Sequence, residues 1–159
     1  MDIFCAYFDV QGFYINGIFH PAEMCMISKK ETFHVKVKKD CNCKPSKEKR
    51  KSMIYLTANH HGSTLTDEGV HFKRMQSMVT KIYHRSKSEP SIYIACKSKE
   101  ASELLDYFGL PNMNLNELNV NHIEIDSGQR PCHFHDQSKK FKCSFNIVED
   151  LKTFIRNYQ

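Results

Sequence analysis

Two cysteines and a histidine stand close together near the end of the chain, in the spacing Cys132-x2-His135-x7-Cys143. Zinc in proteins binds cysteine thiolate and histidine nitrogen, and a closed tetrahedral site needs four such ligands at fixed short distances. Residues 136–140 are polar, which is typical of a flexible connecting loop. The spacing therefore predicts three ligands of a zinc site, and it requires a fourth ligand from elsewhere in the chain.

The fourth ligand must come from a distant segment. We expect His61, because it ends a predicted helix beside the turn at Gly62, where an imidazole can point into a crevice. His60 is the second candidate, and Cys41 or Cys43 could supply a thiolate in its place. Four protein ligands would close the coordination sphere, which is typical of a structural zinc and not of a catalytic one. Such a site would join the last helix to the first.

The apolar pattern of the rest of the chain predicts alternating strands and helices. Three β-type segments come first, and the third alternates apolar and polar side chains, as a half-exposed strand does. The predicted elements are strands over 3–10, 18–27 and 32–38 with turns at 11–13 and 16–17, a helix over 45–61, a helix from 66, a strand over 91–96, a helix from 98, a short strand over 122–125 and a last helix from 143.

This order of elements has a known parallel. Three strands joined by short connections predict an antiparallel meander, and the later alternation of helix and strand extends the sheet. The same order occurs in the RNase H-like fold, including its exonuclease branch. A length of 159 residues suits one domain. We therefore expect a single RNase H-like α/β domain over residues 1–159, with a mixed sheet, a three-stranded meander and flanking helices.

The first strand carries the residues that would decide catalysis. Nucleases of this fold place an Asp-x-Glu pair there, and the two carboxylates hold divalent ions that activate water. The matching positions here are Asp9 and Gln11, and a neutral amide is a poor ligand for Mg²⁺. If the chain is a nuclease, Asp9 is its catalytic residue and Mg²⁺ or Mn²⁺ its cofactor. The other acidic residues available to it lie in no recognisable signature; they are Asp106, Asp126, Glu149 and Asp150.

The charge of the chain favours an anionic partner. Its formal net charge is +5, and its lysines and arginines are grouped. Grouped cations attract the phosphates of nucleic acid, although a surplus of lysine is also common on a solvated surface. Tyr55, among the first group, could stack on an unpaired base, although an aromatic side chain on an apolar helix face usually belongs to the core. The residues predicted to contact nucleic acid are Lys47, Lys49, Arg50 and Lys51 in a first group and Lys73, Arg74, Lys81 and Arg85 in a second.

The location of the protein is predicted from what its sequence lacks. No apolar run approaches the roughly 18 residues of a membrane span, and residues 1–5 do not resemble a signal peptide. Seven cysteines are an odd number, and clustered thiols in a reducing compartment favour metal over disulfides. We expect an intracellular protein, cytoplasmic or nuclear or both, without a membrane partner. Cys5, Cys25 and Cys96 lie in apolar segments and are expected in the core.

Three motifs together resemble the Maelstrom domain and its short relatives in insects and their mobile elements. The motifs are Asp9-Val10-Gln11-Gly12-Phe13, Asn59-His60-His61-Gly62 and Cys132-x2-His135-x7-Cys143. The resemblance implies an exonuclease-type RNase H fold without the usual catalytic acids, and a structural zinc held by a Glu-Cys-His-Cys set. Cys132, His135 and Cys143 match the last three ligands of that set, whereas His61 is expected in the place of the glutamate.

The resemblance also implies a partner. It points to single-stranded RNA in small-RNA or transposon silencing, together with protein partners of that pathway. The first hypothesis is therefore a catalytically degenerate, zinc-stabilised domain that binds RNA or another single-stranded nucleic acid. The second hypothesis is an active metal-dependent nuclease that uses Asp9. The third is a scaffold for protein interactions.

Overall fold

The computed structural model describes residues 2–39, 44–118, 132, 134–135 and 143–157. Within these ranges the protein is a mixed α/β structure with a five-stranded sheet and flanking helices. The elements are β1 (Phe4–Ile15), β2 (Ile18–Ser28), β3 (Thr32–Lys36), α1 (Lys47–Leu56), a π-helical turn (Thr57–His61), α2 (Phe72–Ser86), β4 (Tyr93–Cys96), α3 (Lys99–Tyr107), β5 (Asn112–Asn114) and α4 (Ser144–Asn157).

The sheet confirms the predicted meander. Its strand order is β3-β2-β1-β4-β5, with β1, β2 and β3 antiparallel and with β4 and β5 parallel to β1. The β1–β2 hairpin closes at Asn16 and Gly17, which have φ values of 52° and 76°. Two residues with positive φ give the turn whose twist matches that of the flanking strands, and Asn-Gly is a favoured pair for it.

The turn predicted over 11–13 is wrong, because β1 continues through these residues with a shift of register between Gln11 and Gly12. A Cβ atom at Gly12 would clash with the backbone of His20 and Pro21 on β2, so glycine permits this close approach. Pro21 lies in the part of β2 that β3 does not pair with, where no backbone N–H is required of it.

The prediction that a helix begins at Thr66 is also wrong, since α2 begins at Phe72. The backbone of residues 66–70 is instead paired with the extension of β3. Lys38 N–H donates to the Val70 carbonyl at 2.8 Å, and Val70 N–H donates to the Lys36 carbonyl at 2.9 Å. These tertiary hydrogen bonds outweigh the local preference of Thr-Asp-Glu for a helix start.

Other helix ends agree with the sequence. Ser46 and Ser98 cap α1 and α3 by accepting backbone N–H hydrogen bonds, and Gly62 ends the π-helical turn with a φ of 64°. Strand β5 was not among the predicted elements. The short strand predicted over 122–125 lies outside the described residues.

Both faces of the sheet are covered by helices. Each fully buried apolar side chain there contributes roughly 1.5–3 kcal/mol to stability. Cys5, Cys25 and Cys96 are buried, as predicted. The face covered by α2 and α3 packs Phe8, Val10, Met24, Met26, Met75, Val79, Ile82, Ile94 and Leu105. The face covered by α4 packs Tyr7, Cys25, Ala95, Val148, Leu151 and Ile155.

Helix α1 differs from the others because none of its residues is buried. Met53 and Leu56 pack against a small cluster of Phe13, Ile15 and Ala22 at the end of the β1–β2 hairpin. None of the described helices is both long enough and apolar enough to cross a membrane.

Candidate metal centre

Five potential metal ligands from four separate segments meet beside the N-terminus of α4. We call them the five-donor cluster. Because β1, β2 and β3 are paired in register, residues far apart in the chain are placed on one face of the sheet, and α4 packs on that face. The cluster consists of Glu23 on β2, His34 on β3, Cys132, His135, and Cys143 immediately before α4.

The distances within the cluster are short. Cys143 Sγ lies 3.3 Å from Cys132 Sγ and 3.4 Å from Glu23 Oε1. His135 Nε2 lies 2.9 Å from Glu23 Oε2, and His34 Nε2 lies 2.9 Å from Glu23 Oε1. The ligand atoms lie within 4.8 Å of one another in two groups, His34 with Cys132 and Cys143, and Glu23 with His135 and Cys143. These residues could bind a metal ion.

Glu23 is the electrostatic centre of the cluster, and its side chain is 0% exposed. Burial alone would raise the pKa of Glu23, but hydrogen bonds from His135, His34 and Ser63 outweigh it and hold that pKa at about 2. The hydroxyl of Ser63 donates to Glu23 Oε2, and the backbone N–H of Ser144 donates to Oε1 at 3.2 Å. Glu23 is therefore a buried carboxylate anion with hydrogen-bond donors on both oxygens.

His61 is buried, but it belongs to neither group of ligand atoms. Its Nδ1 accepts a hydrogen bond from the backbone N–H of Ser63 at 3.1 Å, and its ring packs edge-on against Phe13. Burial lowers the pKa of His61. The imidazole of His61 therefore stabilises the backbone of the turn at Gly62. His61, expected as the fourth ligand, is therefore not among the residues that the two groups bring together, whereas Glu23 and His34 lie beside the other three.

The remaining alternatives for the fourth ligand are outside the cluster or outside the described residues. His60 lies in neither group, and its ring contacts Tyr55 with 5.7 Å between ring centroids. Cys41 and Cys43 lie outside the described residues. The sequence did carry a signal for Glu23, since it is the single acidic residue of an otherwise largely apolar strand and buried carboxylates need a partner.

The thiol of Cys143 shows why a cation suits the cluster. Burial raises the pKa of this thiol well above its usual range, and the nearby Glu23 carboxylate raises it further. A thiol must lose its proton to act as a metal ligand, and a bound divalent cation reverses the local electrostatics that oppose this. Binding of a metal ion would therefore release protons from the cysteines.

Asp9 lies on the same face of the sheet but outside the five-donor cluster. Its side chain is 1% exposed. Burial raises the pKa of Asp9 to about 7, the amide of Gln11 lowers it, and Glu23 raises it. Gln11 Nε2 donates to Asp9 Oδ2 at 2.8 Å, and Gln11 is also the cross-strand partner of Glu23. Within the described part of the chain, no group of three potential metal ligands includes Asp9.

The other acidic residues considered for catalysis have different surroundings. Asp106 on α3 accepts a hydrogen bond from Asn112 at 2.7 Å, and Glu149 on α4 lies 3.6 Å from the ammonium group of Lys152. Asp150 is buried on α4. Asp126 lies outside the described residues. None of these contacts assembles a pair of carboxylates with Asp9.

The predicted basic residues lie on two helices. Those of α1 are exposed, except that Lys49 is partly buried, and Arg50 Nε donates to the carbonyl of Pro45 at 3.1 Å. On α2, Arg85 forms an ion pair with Glu31 at 3.0 Å, and the carboxylate partly neutralises the positive charge of Arg85. The other predicted residues of α2 are exposed; they are Lys73, Arg74 and Lys81.

An aromatic side chain and an open cavity accompany the basic residues of α1. Tyr55 is 60% exposed, in contrast to the core position usual for an aromatic side chain. An apolar cavity of about 420 Å³ lies between α1 and the end of β1, with Phe13, Met53, Ile54 and Leu65 among its walls and Arg50 also lining it.

No protein-family model, no curated protein and no solved structure matches this chain. The function of the cluster is therefore inferred from its residues and their geometry.

Proposed function

We propose that this protein is a zinc-containing, catalytically degenerate RNase H-like domain that binds single-stranded nucleic acid, in the first place RNA. The observation that carries the proposal is the convergence of Cys132, His135 and Cys143 with donors from β2 and β3. Two thiolates and an imidazole are ligands that zinc prefers, whereas Mg²⁺ and Ca²⁺ prefer oxygen. The small-RNA silencing pathway and its protein partners follow from the resemblance to the Maelstrom domain.

The surroundings of the cluster favour a structural zinc. Its donors come from β2, β3 and the residue before α4, and Glu23 also contacts Ser63 after the π-helical turn. A zinc bound there would supply a cross-link between segments that are more than 100 residues apart, and such closed sites contribute directly to folding. Cys132 and Cys143 would bind as thiolates, and the imidazole of His135 would bind in its neutral form.

The observed topology supports the RNase H-like assignment. Strand β1 is central, with an antiparallel hairpin on one side and the parallel strands β4 and β5 on the other. Helices cover both faces, and the candidate catalytic aspartate of the family motif lies on the central strand. These features match the element order that the sequence predicts for this fold.

The surroundings of Asp9 support the proposal that the domain is catalytically degenerate. Two-metal hydrolysis needs carboxylates that share ions about 3.5–4 Å apart. The position that would supply the second carboxylate is Gln11, whose amide donates a hydrogen bond to Asp9. A hydrogen-bond donor in this place competes with a cation for the same carboxylate oxygen. We therefore propose that Asp9 has a structural role and not a catalytic one.

The nucleic-acid surface is assigned to α1. This helix begins with three basic residues among its first four positions and buries no side chain of its own, and its Tyr55 is exposed. Cations that contact phosphates release counterions, and exposed aromatic rings stack on unpaired bases. Nucleic-acid binding by α1 should therefore fall steeply with salt and should favour single strands.

The test of the proposed function has two measurements on the full chain. Metal analysis of the purified protein should find about one zinc per chain, in line with a closed structural site. Fluorescence anisotropy with a labelled single-stranded RNA should show binding that weakens with salt. The substitutions Lys47→Gln, Arg50→Gln and Lys51→Gln together should weaken that binding. They should also make the slope of the logarithm of affinity against the logarithm of salt concentration less steep, by an amount that corresponds to up to about three lost phosphate contacts.

A matched control removes the same charge elsewhere. The substitutions Lys29→Gln, Lys99→Gln and Lys152→Gln lie outside α1 and should leave the affinity within about threefold, since only the long-range field changes. Equal losses for the two triple variants would contradict a surface on α1. Absence of any salt-sensitive binding would favour the scaffold hypothesis.

A metal-dependent nuclease is the second candidate, and the pKa of Asp9 near 7 is the observation that favours it. A carboxyl group that titrates near neutral pH is suited to proton transfer. Cleavage of single-stranded RNA with Mg²⁺ or Mn²⁺, abolished by Asp9→Asn in a folded variant, would establish this activity. Cleavage that survives Asp9→Asn would exclude it.

A further inference from the structure

The two thiols of the five-donor cluster contact each other. The thiol of Cys143 donates to the sulfur of Cys132, with 3.3 Å between the two Sγ atoms. A disulfide bond holds its sulfurs about 2.05 Å apart, and a tetrahedral zinc ion would hold two thiolate sulfurs about 3.8 Å apart. The observed distance lies between these two values. Either state is therefore reached when each sulfur moves by less than about 1 Å.

The backbones of these two cysteines lie outside the sheet and the helices. Cys143 comes immediately before α4, and Cys132 belongs to no helix or strand. Cys25 and Cys96, in contrast, lie on β2 and β4, where strand pairing fixes the backbone. Because no strand pairing fixes Cys132 or Cys143, small backbone shifts and side-chain rotation can bring their sulfurs to bonding distance while the sheet stays intact.

The two thiols differ in their access to solvent. Cys132 is partly exposed, whereas Cys143 is 1% exposed. The backbone N–H of Phe134 donates to Cys132 Sγ at 3.5 Å and helps to fix the position of this sulfur beside Cys143. A small oxidant from solvent therefore reaches Cys132 first and meets Cys143 directly behind it. An accessible cysteine next to a second, resolving thiol is the arrangement found in redox-sensing pairs.

We propose that Cys132 and Cys143 are a redox-active pair, which a peroxide converts into a disulfide with release of the zinc ion. Cys132 Sγ attacks one oxygen of hydrogen peroxide, the O–O bond breaks, and water leaves a sulfenic acid on Cys132. Cys143 Sγ then attacks Cys132 Sγ, the S–O bond breaks, and a second water leaves. Two thiols thus lose two electrons and two protons, and one peroxide is reduced to two waters. Where zinc has displaced the thiol protons, solvent supplies them.

The disulfide would remove the metal ion because zinc binds cysteine as the thiolate. The ion would lose two of its donors in one step. The new bond joins only Cys132 to Cys143, whereas a metal ion would also connect them to a donor on β2 or β3. The oxidised protein should therefore unfold at a lower temperature than the zinc-loaded protein. Release of zinc rests on the proposed zinc centre, while formation of the disulfide does not.

The test treats the full, zinc-loaded chain with hydrogen peroxide and follows zinc with a metal-binding dye and free thiols with a thiol-reactive dye. Two thiols should disappear for each zinc ion released, and mass spectrometry of unreduced peptides should find Cys132 bonded to Cys143. Dithiothreitol should then restore both thiols and zinc binding. Zinc and thiols that survive excess peroxide would overturn the inference and leave the zinc centre intact. A chain that forms the disulfide but never binds zinc would overturn the proposed zinc centre instead.

Two variants assign the reaction to this pair. Cys96→Ser removes a buried thiol outside the cluster and should leave both the disulfide and the release of zinc unchanged. Cys132→Ala should form no disulfide, and its Cys143 should remain a free thiol because it is buried. If Cys132→Ala does not fold, the peptide map of the unsubstituted protein still decides. A disulfide from Cys132 to another cysteine, or a sulfinic acid on Cys132 without a disulfide, would overturn the inference.

Discussion

Asp9 and Glu23 are two buried carboxylates on neighbouring strands, and the protein gives them opposite surroundings. Glu23 has hydrogen-bond donors from His34, His135, Ser63 and Ser144, and its pKa is held at about 2. Asp9 is just as deeply buried, but the side chain of Gln11 is its main donor, and its pKa is raised to about 7. The comparison shows that the number of hydrogen-bond donors, and not the depth of burial, decides whether a buried carboxyl group is charged.

Gln11 lies between the two carboxylates. It pairs with Glu23 across the β1–β2 ladder and donates its amide to Asp9 two residues earlier on the same strand. A glutamate in this position would place three carboxylates side by side, and such a cluster must bind a cation or keep a proton on one of its members. The neutral amide therefore divides the face of the sheet into a part around Glu23 that could bind a metal ion and a part around Asp9 without a second carboxylate.

The largest expected effect is at the part around Glu23, the candidate metal centre. Cys143→Ser should lower the free energy of unfolding by several kcal/mol, or prevent folding, because a closed zinc site is coupled to folding. Thermal unfolding with and without a chelator measures this. The control is Cys96→Ser, a buried thiol outside the cluster, which should not change the response to chelator. An unchanged melting temperature of the chelated protein would contradict a structural metal.

The next effect concerns Glu23 itself. Glu23→Ala should cost about 3–5 kcal/mol, because it leaves buried donors without an acceptor. Asp9→Ala should cost clearly less, since Asp9 has fewer donors to leave unpaired. Chemical denaturation of both variants in the same buffer gives the two values. Equal losses of unfolding free energy in the two variants would contradict the difference in surroundings between the two carboxylates.

The neutral amide of Gln11 provides a sharper comparison. Gln11→Glu should destabilise the fold by about 1–3 kcal/mol at neutral pH, because a charge is added next to Asp9 and Glu23. Gln11→Met keeps a similar volume without charge and should cost about 1 kcal/mol for the lost hydrogen bond. Urea denaturation distinguishes them. A Gln11→Glu variant as stable as the original protein would show that the site already tolerates a second carboxylate.

The smallest effect is a change in pH dependence. The pKa of Asp9 is raised from 3.8 to about 7 in the folded state, so the folded chain binds more protons than the unfolded chain between these values. Stability from this group is therefore lost as pH rises towards 7. Asp9→Asn removes that loss, so the stability of the variant relative to the original protein should rise between pH 4 and pH 8.

The measurement is a series of denaturation curves between pH 4 and pH 8 for both proteins. Asp106→Asn, on α3, serves as the control for a general change of charge. Parallel pH profiles for Asp9→Asn and the original protein would show that Asp9 keeps an ordinary pKa in the fold.

Much of the fold was readable from local patterns. The meander, the Asn16-Gly17 turn, the helix start at residue 98 and the helix end beside Gly62 each depend on a few neighbouring residues, and the structure confirms them. The predicted turn at 11–13 and the start of α2 at Thr66 failed for one shared reason. In both places, backbone pairing with another segment replaced the conformation that the local residues prefer: residues 11–13 pair within the β1–β2 hairpin, and residues 66–70 pair with the extension of β3.

The sequence by itself determined three members of the five-donor cluster, because Cys132, His135 and Cys143 lie within twelve residues and have a spacing that suits one ion. It also determined that the position beside Asp9 is neutral. Only the tertiary structure decided which distant residues join them. Glu23 and His34 are brought to the site by the register of β2 and β3, while a turn-stabilising hydrogen bond occupies His61 Nδ1. Strand register is a long-range property, and spacing along the chain does not encode it directly.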